Sequence, residues 1–273
     1  MLLSIITINF NNRKGLSNTF NSVFGQTSAN FEYLVVDGGS TDGSVSIIEE
    51  NKNKLAYAIS EADNGIYQAM NKGAKRAKGK YLLFLNSGDT LYKSTTIEEL
   101  LVKLADADIY YSQACCVYTS KEKAYLKTYP KRVCTSYLIK NCLNHQNSLI
   151  KRELLDQFGF YDETYKLLSD WDFIFNLSLK GANFTYLSNF TISNYCLEGL
   201  SSKYADAKKE WHQILKAKYP QYASAYQKSL KKEKALWCRT INKLNSKLLK
   251  LKMFNKKIPN SAISLKHQTN IYY

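Results

Sequence analysis

Two short acidic segments carry the first chemical signal in this 273-residue chain. Asp37-Gly38-Gly39-Ser40 follows the apolar run Leu34-Val35-Val36, and Asn86-Ser87-Gly88-Asp89 follows Leu82-Leu83-Phe84-Leu85. Carboxylates at strand ends can accept hydrogen bonds from a sugar, a ribose or a base, or hold a hard divalent cation that neutralises a diphosphate. The neighbouring glycines let a ligand approach the backbone closely. Taken singly, each segment is also ordinary turn chemistry, because Asp-Gly and Ser-Gly are common turn formers. Two of them at equivalent strand ends, with Asp63 just past a third strand, favour a polar site at the rim of a sheet. Other nucleotide signatures are missing. No G-x-G-x-x-G occurs, and the stretch from Gly73 to Lys80 has the wrong spacing for a phosphate loop and falls inside a helix rather than before one. Dehydrogenase and P-loop chemistry are therefore poor fits.

Those segments need elements to align them. Residues 2–8 are a continuous apolar run rich in β-branched side chains, the pattern of a strand covered on both faces; 31–36 and 81–85 read as further buried strands and 55–60 as a third strand in chain order. Helical patterns lie between them at 13–24, 42–50 (with Asp42 as the cap) and 65–77. Thr95-x-x-Glu98 reads as a capping box opening a further helix. Strands alternating with helices at this spacing imply βαβ units and a mostly parallel sheet, whose ligands bind outside the carboxyl ends of the strands. From residue 108 the pattern loosens. Residues 109–118 and 124–129 read as a hairpin, 146–150 as a short strand and 152–158 as a helix start. Residues 168–179 read as a helix opening on Ser169-Asp170-Trp171-Asp172, and 184–187 and 190–195 as two late strands. Beyond residue 203 the pattern is helical.

Four motifs then carry a resemblance. Thr7-Ile8-Asn9-Phe10-Asn11, Val36-Asp37-Gly38-Gly39-Ser40-Thr41-Asp42-Gly43, the run from Glu61 to Gly73 through Asp63, Gly65, Tyr67 and Asn71, and Gly79-x-x-x-x-Phe84-Leu85-Asn86-Ser87-Gly88-Asp89 resemble the donor half of family 2 glycosyltransferases. Bacterial surface-polysaccharide members are the most similar. The motifs occur in the family's order over residues 1–90, and Asn144-His145-Gln146 and Ser169-Asp170-Trp171-Asp172 extend the match to about residue 200. The resemblance implies an α/β GT-A fold: a Rossmann-like, mostly parallel sheet flanked by helices, here with a C-terminal helical extension. It also implies transfer of a sugar, with inversion, from a nucleotide diphosphate-sugar, UDP being the favoured nucleotide. The acceptor would be a glycan or a polyprenyl-diphosphate-linked glycan. Carried over by position, Thr7, Asn9, Asp37 and Asp63 match the nucleoside pocket, and Asn71 and Asn86 fall on the same donor side. Asp89 matches the last acid of the metal-binding motif, where Mg²⁺ or Mn²⁺ would bridge it to the diphosphate. Asn86 and Gly88 stand where acids are frequent, so one carboxylate serves where two or three are common.

In the second half, Asp170 matches the position of the family's general base, with Asp172 as the fallback. Without the resemblance, Asp170 reads equally as a capping residue at a helix start. Trp171 suits either stacking on a sugar ring or the core. His145 suits either contact with the acceptor or diphosphate, or a structural hydrogen bond. Ser201, in Glu198-Gly199-Leu200-Ser201-Ser202, resembles the loop that closes over the diphosphate.

Charge divides the chain. From Ser201 to Tyr273 there are 17 Lys and Arg against Asp206, Glu210 and Glu233, whereas residues 1–200 hold 21 basic and 20 acidic groups. The expected division is a catalytic domain at 1–203 (nucleotide-sugar half 1–90, acceptor half 91–203) and a basic tail at 204–273. In the tail, Leu230, Trp237, Ile241, Leu244, Leu248 and Leu251 share one helical face opposite many lysines. Such a helix over 230–252 can dock on an anionic membrane, pack on the body, or form a homodimeric coiled coil. Confinement of the charge to the tail argues against a nucleic-acid partner. The six cysteines form no C-x-x-C pair, and a core built from 45% hydrophobic residues needs no disulfide framework. The start lacks a basic segment ahead of its apolar run, and no stretch of about 18 apolar residues occurs. The expected location is cytoplasmic, with peripheral attachment to the inner membrane face as an option.

Overall fold

Strand order decides which residues can meet. The computed structural model describes residues 2–118, 122–197, 204–224 and 226–228. Among them nine strands form one sheet: β1 (Leu3–Asn9), β2 (Glu32–Asp37), β3 (Tyr57–Ser60), β4 (Tyr81–Phe84), β5 (Thr90–Leu91), β6 (Ile109–Tyr118), β7 (Lys123–Lys127), β8 (Ser148–Lys151) and β9 (Phe184–Cys196). The spatial order is β3-β2-β1-β4-β8-β6-β9-β5, with β7 paired to β6. The helices are α1 (Arg13–Phe24), α2 (Ser44–Glu50), α3 (Ile66–Arg76), α4 (Thr96–Leu101), α5 (Thr135–Leu138), α6 (Glu153–Phe158), α7 (Ser169–Leu179) and α8 (Tyr204–Lys218).

The first half is a doubly covered parallel sheet. Every residue of β1 and β2 is buried, as their unbroken apolar runs require. Helix α1 turns Leu16, Phe20 and Val23 into a core shared with Leu3, Ile5, Tyr33, Val35 and Leu83. Each such side chain contributes about 1.5–3 kcal/mol by leaving water. Register then does the positioning: Asn9 pairs with Asp37, Asp37 with Ser60, and Ile6 with Phe84. The carboxyl ends of β3, β2, β1 and β4 therefore lie side by side on one rim.

The second half is mixed. Strand β8 runs antiparallel to β4 and β6, whereas β6 and β9 are parallel. Residues 184–187 and 190–195, expected as two strands, are one. Asn189 takes a left-handed backbone (φ 53°), and the register against β6 shifts at Ser112/Gln113, so an irregularity bends the strand without ending it. The expected capping box is not formed: Thr95 Oγ1 donates to Glu99 Oε1 (2.7 Å), and Glu98 accepts from Thr27 instead. Asp42 does not cap α2 itself, because left-handed Gly43 holds the cap position. The Asp42 carboxylate ties the two helix starts together, accepting from Arg13 N (2.7 Å) and Ser44 N (3.0 Å).

The chain divides into two units, Met1–Trp211 and His212–Tyr273. The amphipathic segment 230–252 lies outside the described residues. No helix among the described residues is long and apolar enough to cross a membrane.

Buried Glu32 anchors the rim opposite the strand carboxyl ends, accepting from Ser4 Oγ (2.5 Å), Gly79 N (3.0 Å) and Lys78 N. Glu32→Ala strands these donors and is expected to cost about 1–3 kcal/mol, seen as a lower urea midpoint. An unchanged midpoint would show that the anchor carries no stability.

Candidate functional site

The donor end of the rim is built around a saturated carboxylate. Asp37, at the end of β2, has no exposed surface. Its Oδ1 accepts from Asn9 Nδ2 (2.6 Å) and Ser40 Oγ (2.6 Å). Its Oδ2 accepts from Ser60 Oγ (2.6 Å), Ser40 N (2.8 Å) and Gly39 N (3.2 Å). Burial alone would raise the Asp37 pKa, but the bonds from Ser40, Ser60 and Asn9 outweigh it and hold the group below its usual value. Asn9 Oδ1, in contrast, is buried with no hydrogen-bond partner. Gly38 lets two side chains approach its backbone: a Cβ there would come within 2.7 Å of Asp63 Oδ2 and 3.2 Å of the Phe10 ring. Asp63 and Phe10 thus flank the same backbone, and Phe10 is 64% exposed.

The next strand end carries Asp89. The loop from Asn86 to Asp89 is fixed by Thr19 Oγ1, which donates to Asp89 O (2.7 Å) and accepts from Gly88 N (3.0 Å). Gly88 has φ 102°, so an acidic side chain at that position would be strained. Asp89 is 3% exposed and accepts from Cys196 N (2.8 Å). Burial pushes its pKa up to about 7, against opposing contributions from Cys196 N, His145 and Gln146. Asn86 Oδ1 is buried and unpartnered. Among the described residues no group of three or more His, Cys, Asp or Glu surrounds a common cation position. The oxygen donors available are therefore Asp89 and Asn86, a donor type that suits a hard cation taking further ligands from a phosphate.

The third part couples the two halves. Asp170, in the first turn of α7, does not spend its carboxylate on its own helix. Oδ1 accepts from the Tyr67 hydroxyl of α3 (2.9 Å), and Oδ2 pairs with His145 Nδ1 (2.9 Å). His145 Nε2 lies 3.1 Å from Asn86 Nδ2. With the Nδ1 proton on His145 and its Nε2 accepting from the amide, every donor in this chain has an acceptor. The line Tyr67–Asp170–His145–Asn86 joins α3, α7, the turn His145–Asn147 and the end of β4.

The other expected site residues lie elsewhere. Thr7 is fully buried and spent within the sheet, donating to Leu85 O (2.8 Å) and bonded to the Tyr33 hydroxyl (2.9 Å), so it presents nothing to a nucleoside. Asn71 is a structural tie rather than a donor ligand: its amide brackets Tyr161, donating to O (2.8 Å) and accepting from N (3.0 Å), and also bonds Glu163. Trp171 belongs to the core. It is stacked on Phe175, lies 4.4 Å from Trp211 between ring centroids and donates Nε1–H to Leu138 O, leaving no face for a sugar. Asp172 is buried two residues past Asp170. Ser201 lies outside the described residues. Sequence reasoning missed Tyr67, Phe10, Ser40 and Ser60. All but Ser60 lie inside the motifs, yet only the fold distinguishes them from core or turn residues.

A line of hydrogen bonds thus ties the strand-end polar groups of this sheet to a carboxylate–imidazole pair from its second half. The family described as "Glycosyl transferase family 2" matches residues 4–167, and the chain belongs to that family. A "PGL/p-HBAD biosynthesis glycosyltransferase" of Mycobacterium bovis is 28% identical over 212 residues, covering 75% of this chain and 81% of the relative. TuaG of Bacillus subtilis, named for teichuronic acid biosynthesis, is 28% identical over 77% of this chain and 86% of its own length. Among solved structures, S. aureus TarS 1-349 in complex with UDP superposes with a TM-score of 0.61 at 20% identity, covering 83% of this chain and 68% of TarS. The mannosyltransferase PcManGT from Pyrobaculum calidifontis, in complex with GDP-Man and Mn²⁺, gives 0.58 at 16% identity, covering 90% of this chain and 79% of its own. These likenesses fix the fold as GT-A, and the protein is a glycosyltransferase.

Because Asp89 holds its proton more tightly when folded than unfolded, its contribution to stability is fully present at acid pH. That contribution is lost as pH rises from about 4 towards 7. Asp89→Asn removes the titration, so in chelator the variant gains stability on the wild type between about pH 4 and 8. Urea midpoints at the two ends measure this. A gap that does not change with pH would mean Asp89 is not a buried, proton-holding carboxylate.

Proposed function

We propose that the protein is an inverting glycosyltransferase that moves a sugar from a nucleotide diphosphate-sugar, with UDP favoured, to a glycan or polyprenyl-diphosphate-linked acceptor in surface polysaccharide synthesis. The single observation that carries the reading is the hydrogen-bonded line Tyr67–Asp170–His145–Asn86, which sets a carboxylate base within one imidazole of the donor rim. The biosynthetic names of the M. bovis and B. subtilis relatives support the pathway class, and the UDP and GDP-Man bound to the structural neighbours support the donor class.

In this reading the base stacks on exposed Phe10 and meets the unpartnered Asn9 Oδ1, while Asp37 keeps the loop from Gly38 to Ser40 in shape and Asp63 borders it. The diphosphate lies by Asn86 and Asp89. Asp89 and Asn86 Oδ1 would hold Mg²⁺ or Mn²⁺, which supplies positive charge against the leaving diphosphate. Asp170 accepts the proton of the acceptor hydroxyl as that oxygen bonds to the anomeric carbon. The bond from that carbon to the diphosphate oxygen breaks on the opposite side, and its electron pair leaves with the phosphate. Tyr67 and His145 fix the orientation of the carboxylate. Asp172 shares the helix start and is the second carboxylate of that turn. Ser201 and the loop around it would cover the diphosphate. The lysine-rich sequence of 230–252 would have the charge to hold the enzyme where a lipid-linked acceptor is anchored, each basic side chain near an anionic surface adding about 1 kcal/mol.

Asp170→Asn is expected to lower the transfer rate by about 10²–10⁴-fold, as loss of a general base does, while the thermal shift given by the preferred nucleotide-sugar with Mn²⁺ is retained. A screen of UDP- and GDP-sugars identifies that donor. Transfer by Asp170→Asn at the wild-type rate would remove Asp170 as the base. Absence of a shift with every donor would remove the nucleotide-sugar reading itself.

A further inference from the structure

Among the described residues, the Lys127 side chain has no counter-ion. Lys127, the last residue of β7, is 8% exposed, although the four residues before it in the strand are exposed. Its ammonium donates to Asn144 Oδ1 (3.0 Å) and lies 5.2 Å from the centroid of the Tyr129 ring. The Tyr129 hydroxyl donates to the same Asn144 oxygen (2.9 Å). An ammonium carries three donors, and here a single neutral amide oxygen takes one of them. The basic cluster at the opposite rim is different: Lys80 and Lys151 pair with Asp106, Lys151 also with Glu153, and Arg152 with Asp156. Lys127 forms no ion pair among the described residues. A buried, unpaired cation is unfavourable unless an anion joins it. Burial accordingly pushes its pKa below the usual lysine value.

Its hydrogen bond ties it to the turn that carries His145. Asn144, which it grips, directly precedes His145, the partner of Asp170 and neighbour of Asn86. We propose that Lys127 is a substrate-binding residue whose ammonium receives a phosphoryl oxygen of the donor's diphosphate. This rests on the nucleotide-sugar reading above. Charge accumulates on that diphosphate as the sugar departs, and a fixed positive group there stabilises it. The loop from Asn86 to Asp89 offers a divalent cation only one carboxylate, so a built-in cation supplements it and survives chelation.

The test uses inorganic pyrophosphate and excess EDTA with the full chain. Calorimetric titration is expected to show pyrophosphate binding to wild type, at least tenfold weaker binding to Lys127→Met, and substantial recovery in Lys127→Arg. A measurement on the wild type alone guards against misfolded variants. Acetylation of Lys127 by acetic anhydride, read by mass spectrometry, is expected to slow when pyrophosphate is present. Equal affinities for wild type and Lys127→Met, or equal labelling with and without pyrophosphate, would overturn the proposal. If nucleotide-sugars still shift the melting temperature in that case, only the role of Lys127 falls. If they do not, the nucleotide-sugar reading falls with it.

Discussion

Ionisable side chains removed from water must be matched by donors, acceptors or counter-ions, and the carboxyl rim of this sheet meets that constraint differently at each position. Asp37 is matched completely, five donors closing around its two oxygens. Asp170 is matched by one hydroxyl and one imidazole and remains part of a chain that spans both halves. Asp89 is matched incompletely, and burial raises its pKa to about 7. Lys127 and the orphaned oxygens of Asn9 and Asn86 are matched least. A saturated group holds shape, whereas an under-matched buried group gains most from a ligand. This ordering separates scaffold from binding groups without reference to any relative.

Parallel register makes the arrangement achievable. Asn9 reaches Asp37, and Asp37 reaches Ser60, because each pair sits opposite across adjacent strands about 4.8 Å apart. A slip of one residue in β2 would turn Asp37 to the other face and leave Asn9 without its partner. Apolar runs buried on both faces do not by themselves prevent that slip; the polar pairs at the two ends of β2, Glu32 with Ser4 and Asp37 with Asn9, do. Strand register and site geometry are thus one specification in the donor half. In the acceptor half the link is a set of side chains: Tyr67 and His145 meet at Asp170, and Asn71 brackets Tyr161 from α3.

The donor half was legible because its signals are periodic or local. The buried strands β1, β2 and β4 read as continuous apolar runs, and these three and the half-exposed edge strand β3 all fell within two residues of the structure. The strand ends of Asp37 and Asp89 followed directly from them. The family motifs pointed to the right rim but not to each residue's task. Thr7 and Asn71 lie in those motifs, yet they tie the sheet and α3 in place. Their hydrogen-bond partners, Leu85, Tyr33 and Tyr161, are distant in sequence. The acceptor half was less legible for the same reason. A bulge at Asn189 fused two expected strands, and the burial of Trp171 against Phe175 and Trp211 follows from tertiary packing. Lys127 looked like one lysine among many, because nothing local marks a side chain that turns inward.

If the proposed site is right, the ends of β2, β1 and β4 and Asp170 serve one bound donor across His145. A crystal structure of the Asp170→Asn protein with its nucleotide-sugar and Mn²⁺ decides this. The nucleobase is expected beside Phe10 and Asn9, the diphosphate between Asp89 and Lys127, and the face of the anomeric carbon opposite the diphosphate open towards residue 170. A nucleotide bound away from the carboxyl rim, or a sugar whose reacting face points away from residue 170, would contradict it.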